Sequence, residues 1–169
     1  AWVPWFYENM KEKNYDDIRL KIKYYIALFS VMGFVLIFIS PEIGKLMGSS
    51  DFYGGLNYVP LIMVGYYFQF LYSIPANLEF YTKNTKLLSL GTLIAALTNV
   101  VLNYIMIPRY GAVAATWTTI IAYVILFLYH YFISLRIFDV RIYTFKPFAY
   151  GIISIVLSRS EERRVGKEC

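Results

Sequence analysis

Three sets of uncharged polar side chains recur at helical spacing inside apolar stretches, and any chemistry in this chain would have to reside there. In one stretch Tyr66, Gln69, Ser73 and Asn77 follow steps of three, four and four, and in the next Thr92, Asn99 and Asn103 follow steps of seven and four. A third stretch carries Thr116, Thr119, Tyr123 and His130. Such steps return each side chain to the same helix face. Amides and hydroxyls are costly in hydrocarbon, so these faces must meet partner helices or a wet cavity. Two uses fit. Either Gln69, Ser73, Asn77, Asn99 and Asn103 line a substrate cavity, or they join helices through hydrogen bonds worth about 0.6 kcal/mol each. Histidine is the side chain whose ordinary titration falls near neutrality, which makes His130 the candidate proton relay. Its place near the end of its stretch also lets the ring reach interfacial water.

Other reactive patterns are missing. There is no Gly-rich phosphate loop, no zinc-type His pair and no pair of carboxylates within an apolar stretch. The acids nearest the apolar stretches, Glu42, Asp51 and Glu79, stand at their ends or in loops. A metal site, a cofactor site, catalytic residues or a buried acid–base dyad are therefore not expected. The lone cysteine, Cys169, gives neither a disulfide framework nor a CxxC pair. The net charge of +5 could suggest nucleic acid, but the basic residues are scattered between apolar runs and no strand-gripping pattern of basic and aromatic residues occurs.

The elements that position these faces follow from composition. Apolar residues make up 59% of the chain and charged residues 16%, against roughly 25% charged in soluble domains. A soluble domain of this length would expose much of that apolar surface. The expected fold is all-α, a polytopic transmembrane helix bundle. Uncharged runs cover 24–41, 52–78, 87–108 and 110–135, with a shorter one at 147–158. About 20 apolar residues cross the hydrocarbon, which gives four full spans, 24–41, 56–78, 87–108 and 111–135, and the start of a fifth. Ala1–Tyr7, with Trp2, Pro4 and Trp5, reads as the interfacial end of an earlier span, and no signal peptide is expected in what reads as an internal piece.

Pro41 is expected to end the first run and open a loop to Leu56 that contains Gly48-Ser-Ser-Asp51, and Pro108-Arg-Tyr-Gly111 to form a tight turn. Pro75, late in the second run, would free a carbonyl that neighbours must satisfy. Gly111 and Ala115, four apart, would allow close packing on the preceding span, or a sliding interface. Alternating spans place Lys11, Lys13, Arg19, Lys21, Lys23, Lys83, Lys86, Arg136, Arg141 and Lys146 on one side, and only Lys45 and Arg109 on the other. By the positive-inside rule the first side is cytoplasmic.

Residues 159–169, Arg-Ser-Glu-Glu-Arg-Arg-Val-Gly-Lys-Glu-Cys, break abruptly from the apolar run before them. The string resembles the translation of a common short-read sequencing adapter. Arg163, Arg164 and Cys169 are accordingly given no functional weight, and the last span is expected to be cut short.

Asn99-Val-Val-Leu-Asn-Tyr-Ile-Met-Ile-Pro-Arg-Tyr-Gly-Ala-Val-Ala-Ala-Thr116 resembles a pattern of polysaccharide-unit flippases of the multidrug/oligosaccharidyl-lipid/polysaccharide exporter superfamily. Ile39–Tyr53 and Asn84-Thr-Lys86 are similar to that family's span-to-loop segments, and Ala114 stands where the family often has Gly. The resemblance covers nearly all of residues 1–158. It implies part of the second lobe of a two-lobe exporter fold, in the bacterial inner membrane. The implied substrate is an undecaprenyl-diphosphate-linked oligosaccharide, moved to the outer leaflet by alternating access for surface polysaccharide synthesis. The implied partners are the bilayer, that lipid-linked substrate and the first lobe of the same chain. The alternatives are a multidrug exporter of the same superfamily, disfavoured by the lack of a carboxylate within a span, and a membrane polysaccharide polymerase or ligase, disfavoured by the short outer loops.

Overall fold

The computed structural model describes residues 2–47, 53–56, 58–138 and 140–168, without the side chains of residue 47 and residues 161–168. Asp51 and the Gly48–Asp51 segment, the side chains of Arg163 and Arg164, and Cys169 lie outside that description. All regular structure among the described residues is helical: α1 Trp2–Glu12, α2 Tyr15–Met47, α3 Tyr53–Leu56, α4 Val59–Tyr81, α5 Thr85–Tyr110, α6 Ala112–Ser134 and α7 Phe145–Glu168. Four of them, α2, α4, α5 and α6, are long and apolar enough to cross a membrane. The chain is an all-α bundle of membrane-spanning type.

Helix α2 does not stop at Pro41. It runs for 33 residues to Met47, because the hydrogen bond that proline cannot make is replaced locally. Proline at position 41 leaves the Ile37 carbonyl without its usual i+4 donor, and the Ser40 hydroxyl donates to that oxygen at 3.1 Å. The first part of the expected loop, residues 42–47, is thus helical, and the single turn α3 packs so that Leu56 covers Gly44. The turn expected over 108–111 contracts too. Pro108 stays helical, α5 runs to Tyr110, and Gly111 alone reverses the chain at φ 65°, its N–H donating to Ile107 O at 2.8 Å. Only glycine adopts that conformation cheaply.

The bundle is built around α4. Over half of its most apolar window is buried, against about a tenth for α2 and α5. Helix α6 lies parallel to α4, with Gly65 facing Ile120 and Thr119, and Glu79 facing His130. Helix α5 runs antiparallel to α6, matching Asn103 to Thr118 and Gly91 to His130. On the other side of α4, α2 is antiparallel, with Phe29 stacked on Phe70 at 3.9 Å and Ser30 hydrogen-bonded to Tyr67 at 2.6 Å. Helix α7 packs beside α2 through Ile155 over Gly33. The outer faces of α2 and α5 remain apolar and exposed, including Val31, Phe34, Leu97, Val100 and Tyr104. In a water-soluble fold such faces would be an aggregation hazard, whereas lipid or neighbouring helices accept them.

Candidate functional site

The most chemically distinct point in the molecule joins α4 to α6. Glu79, two residues before the end of α4, and His130, four before the end of α6, are both fully buried. His130 Nδ1 lies 2.6 Å from Glu79 Oε1. The Tyr72 ring centroid is 5.5 Å from the imidazole, and Tyr129 meets it edge-on at 5.2 Å. From α5, Gly91 presses over the other ring nitrogen: a Cβ there would sit 2.8 Å from Nε2. Tyr129 also donates to Leu87 O at 3.1 Å, tying α6 to α5. Glu79 Oε2 and His130 Nε2 are buried with no hydrogen-bond partner among the described residues.

A buried carboxylate beside an imidazole can hold and exchange a proton, and the dyad corrects two sequence expectations. Glu79, near the end of its span as expected, belongs to a buried acid–base pair that was not expected, and His130 does not reach interfacial water. The alternative of a buried acid–base pair, set aside for want of a second carboxylate, is realised by a histidine 51 positions away. Register carries the missed signal. Because α4 and α6 are parallel, two residues set back similarly from their helix ends fall at one depth.

Tyr143 in the α6–α7 connection is 2% exposed and donates its hydroxyl to Ile74 O of α4 at 3.0 Å. Burial pushes this phenol well above its ordinary value, and the nearby Glu79 carboxylate adds to the shift.

The amide-bearing faces divide into two shallow grooves. Ser73 and Asn77 line one of about 420 Å³ with Trp2, Tyr72 and Thr92. Asn99 lines a second of about 300 Å³ with Thr92, Thr119 and Tyr123. Thr92 belongs to both, so the faces predicted on two successive spans do come together. Gln69 is half-buried on α4 and is not among the residues lining either groove. The donors of Ser73 and Asn77 are held by their own helix, on Phe70 O at 2.7 Å and Ser73 O at 2.6 Å.

Asn103 behaves differently. Its amide donates to Asn99 Oδ1 at 2.9 Å, and its oxygen accepts from the buried Thr118 hydroxyl of α6. This is a helix-joining network. Gly111 is not a packing residue, since nothing lies within 4 Å of where its Cβ would be. Ala115 is half-buried, and its carbonyl accepts from Thr118 and Thr119 hydroxyls at 3.0 and 2.8 Å. The close approaches belong instead to Gly33, Gly44, Gly91 and Gly151, which the sequence reading did not select as packing residues.

Among the described residues no group of three or more potential ligands could hold a metal ion. No family model, curated protein or solved structure matches this chain.

Proposed function

We propose that this chain is a segment of a membrane transporter that moves a lipid-linked, undecaprenyl-diphosphate-bearing oligosaccharide across the bacterial inner membrane by alternating access. The observation that carries the reading is the meeting of neutral polar faces: Ser73, Asn77, Thr92, Asn99 and Thr119 line adjoining grooves in an otherwise apolar bundle. Amides and hydroxyls without charge suit the hydroxyls of a sugar, and the Asn99–Thr116 resemblance points to the same substrate class. The ends rich in Lys and Arg face the cytoplasm in this reading, and the site works without catalysis.

Asn99→Leu combined with Asn77→Leu, placed in the whole protein, should abolish surface polysaccharide while membrane abundance stays near normal. Normal polysaccharide at normal abundance refutes the reading. Asn103→Leu is the contrasting variant, because loss of its bond to Thr118 lowers abundance and export together. Cysteines at Arg109, but not at Lys13 or Lys83, should react with impermeant reagents from outside.

The Glu79–His130 pair favours a second reading, a proton-coupled multidrug exporter of the same superfamily. That reading predicts efflux of cationic drugs that requires a proton gradient and is lost in Glu79→Gln.

A further inference from the structure

A large recess lies away from the amide grooves, between α2, α7 and the connection that precedes α7. It encloses about 1100 Å³. Small side chains leave it open: Ala27 and Ser30 on α2 face Ala149, Gly151 and Ser154 on α7. Gly151 is forced by its neighbours, since any Cβ there would collide with the Tyr67 hydroxyl and lie 2.8 Å from Ile26. The recess spans Lys23 to Val31 on α2, about 12 Å of helix, so it runs from the charged edge of the apolar stretch into that stretch.

Its mouth carries three exposed cations, Lys23, Arg141 and Lys146. None of the described residues lining it is acidic. Arg141 is held in place by its own backbone, whose carbonyl accepts from both Arg19 Nη2 at 2.8 Å and Nε at 3.2 Å. Asp16 is taken by Arg19 at 2.6 Å. Cations at the edge of the apolar stretch, above an apolar trough, match one kind of ligand, an anion with a long apolar chain.

We propose that this recess binds an anionic phospholipid, with Lys23, Arg141 and Lys146 on its phosphate and one acyl chain lying between α2 and α7. The charge arrangement selects the headgroup, and the small-residue floor accepts the chain. The site is separate from the amide grooves and does not depend on the substrate they take.

The test titrates the purified protein in detergent with dioleoyl phosphatidylglycerol or dioleoyl phosphatidylcholine and counts bound lipid by native mass spectrometry. Phosphatidylglycerol should be retained at least tenfold more tightly. Lys23→Gln, Arg141→Gln and Lys146→Gln should each weaken it roughly fivefold, while Lys11→Gln and Lys83→Gln, cations outside the recess, leave it unchanged. Ala27→Phe, which fills the trough below the cations, should lower retention with the headgroup site intact. Glycerol phosphate, the headgroup without chains, should compete poorly. Equal retention of the two lipids, a preference that survives the triple Gln variant, or glycerol phosphate competing as well as the lipid would each overturn the proposal. Circular dichroism in the same detergent checks that the variants keep their helices, and the wild-type comparison decides without any variant.

Discussion

Helix α6 is fastened to its neighbours by a polar contact near each end, and the two contacts differ in kind. Near its start, Thr118 joins the Asn103–Asn99 pair of α5, a network of neutral groups on the edge of a groove. Some 18 Å along the helix, His130 meets Glu79 of α4 in complete burial. The neutral network can lose a member and still leave only dipoles behind. The ionisable pair cannot, because removing either partner leaves a charge or a proton-binding group stranded in a low-dielectric interior. One end of α6 is therefore a fastening that tolerates loss, and the other a buried pair in which each partner needs the other.

The largest effect should come from breaking that pair. His130→Ala or Glu79→Ala is expected to cost about 3–5 kcal/mol, read as a lowered Tm in detergent. Glu79→Leu with His130→Phe should recover most of the loss, since an apolar pair of similar volume needs no partner. A double variant as unstable as the singles would show that the pair is not the source of the effect.

Gly91→Ala should cost about 1–3 kcal/mol, because its Cβ would press on the Tyr129 ring at 2.5 Å and on His130 Nε2. An unchanged melting profile would mean that α5 does not bear on the pair.

Tyr143→Phe should cost about 1 kcal/mol through the lost bond to Ile74 O. It should also alter the alkaline limb. The buried phenol ionises above its ordinary value, so above about pH 10 the unfolded chain binds fewer protons than the folded one, and stability falls as pH rises. Below that pH the group contributes no slope. Melting between pH 8 and 11 should show a shallower alkaline decline in Tyr143→Phe than in the parent.

The smallest effect belongs to the neutral end. Thr118→Val should cost about 0.6 kcal/mol, and up to roughly 1.7. A cost matching that of His130→Ala would erase the distinction between the two ends.

Much of the bundle was legible in the sequence. The spans expected at 87–108 and 111–135 lie within two residues of α5 and α6 at each end, because lipid imposes length and apolarity on every span. Proline misled the reading, since a break at Pro41 or Pro108 depends on whether the freed carbonyl finds another donor. The Ser40 hydroxyl supplies one, a detail of rotamer rather than of composition. Among the polar residues, spacing placed Ser73, Asn77 and Asn99 on faces that do meet at grooves, but it could not tell Asn99 from Asn103, whose oxygen is claimed by Thr118. The Glu79–His130 dyad escaped because it joins two helices, and each residue alone resembles an ordinary span-end group.

The length of α2 has a mechanical consequence. Its 33 residues extend about 50 Å, while the hydrocarbon is roughly 30 Å thick. The apolar run fills that thickness, so Tyr15–Lys23 stands beyond it as a rigid arm of about 13 Å. Arg19, midway along the arm, grips the Arg141 carbonyl between α6 and α7. A tilt of about 10° in the span would swing the arm's tip by roughly 2 Å, since a continuous helix has no joint there to absorb it. The arm is a lever, and the connection it holds is the first thing it would move.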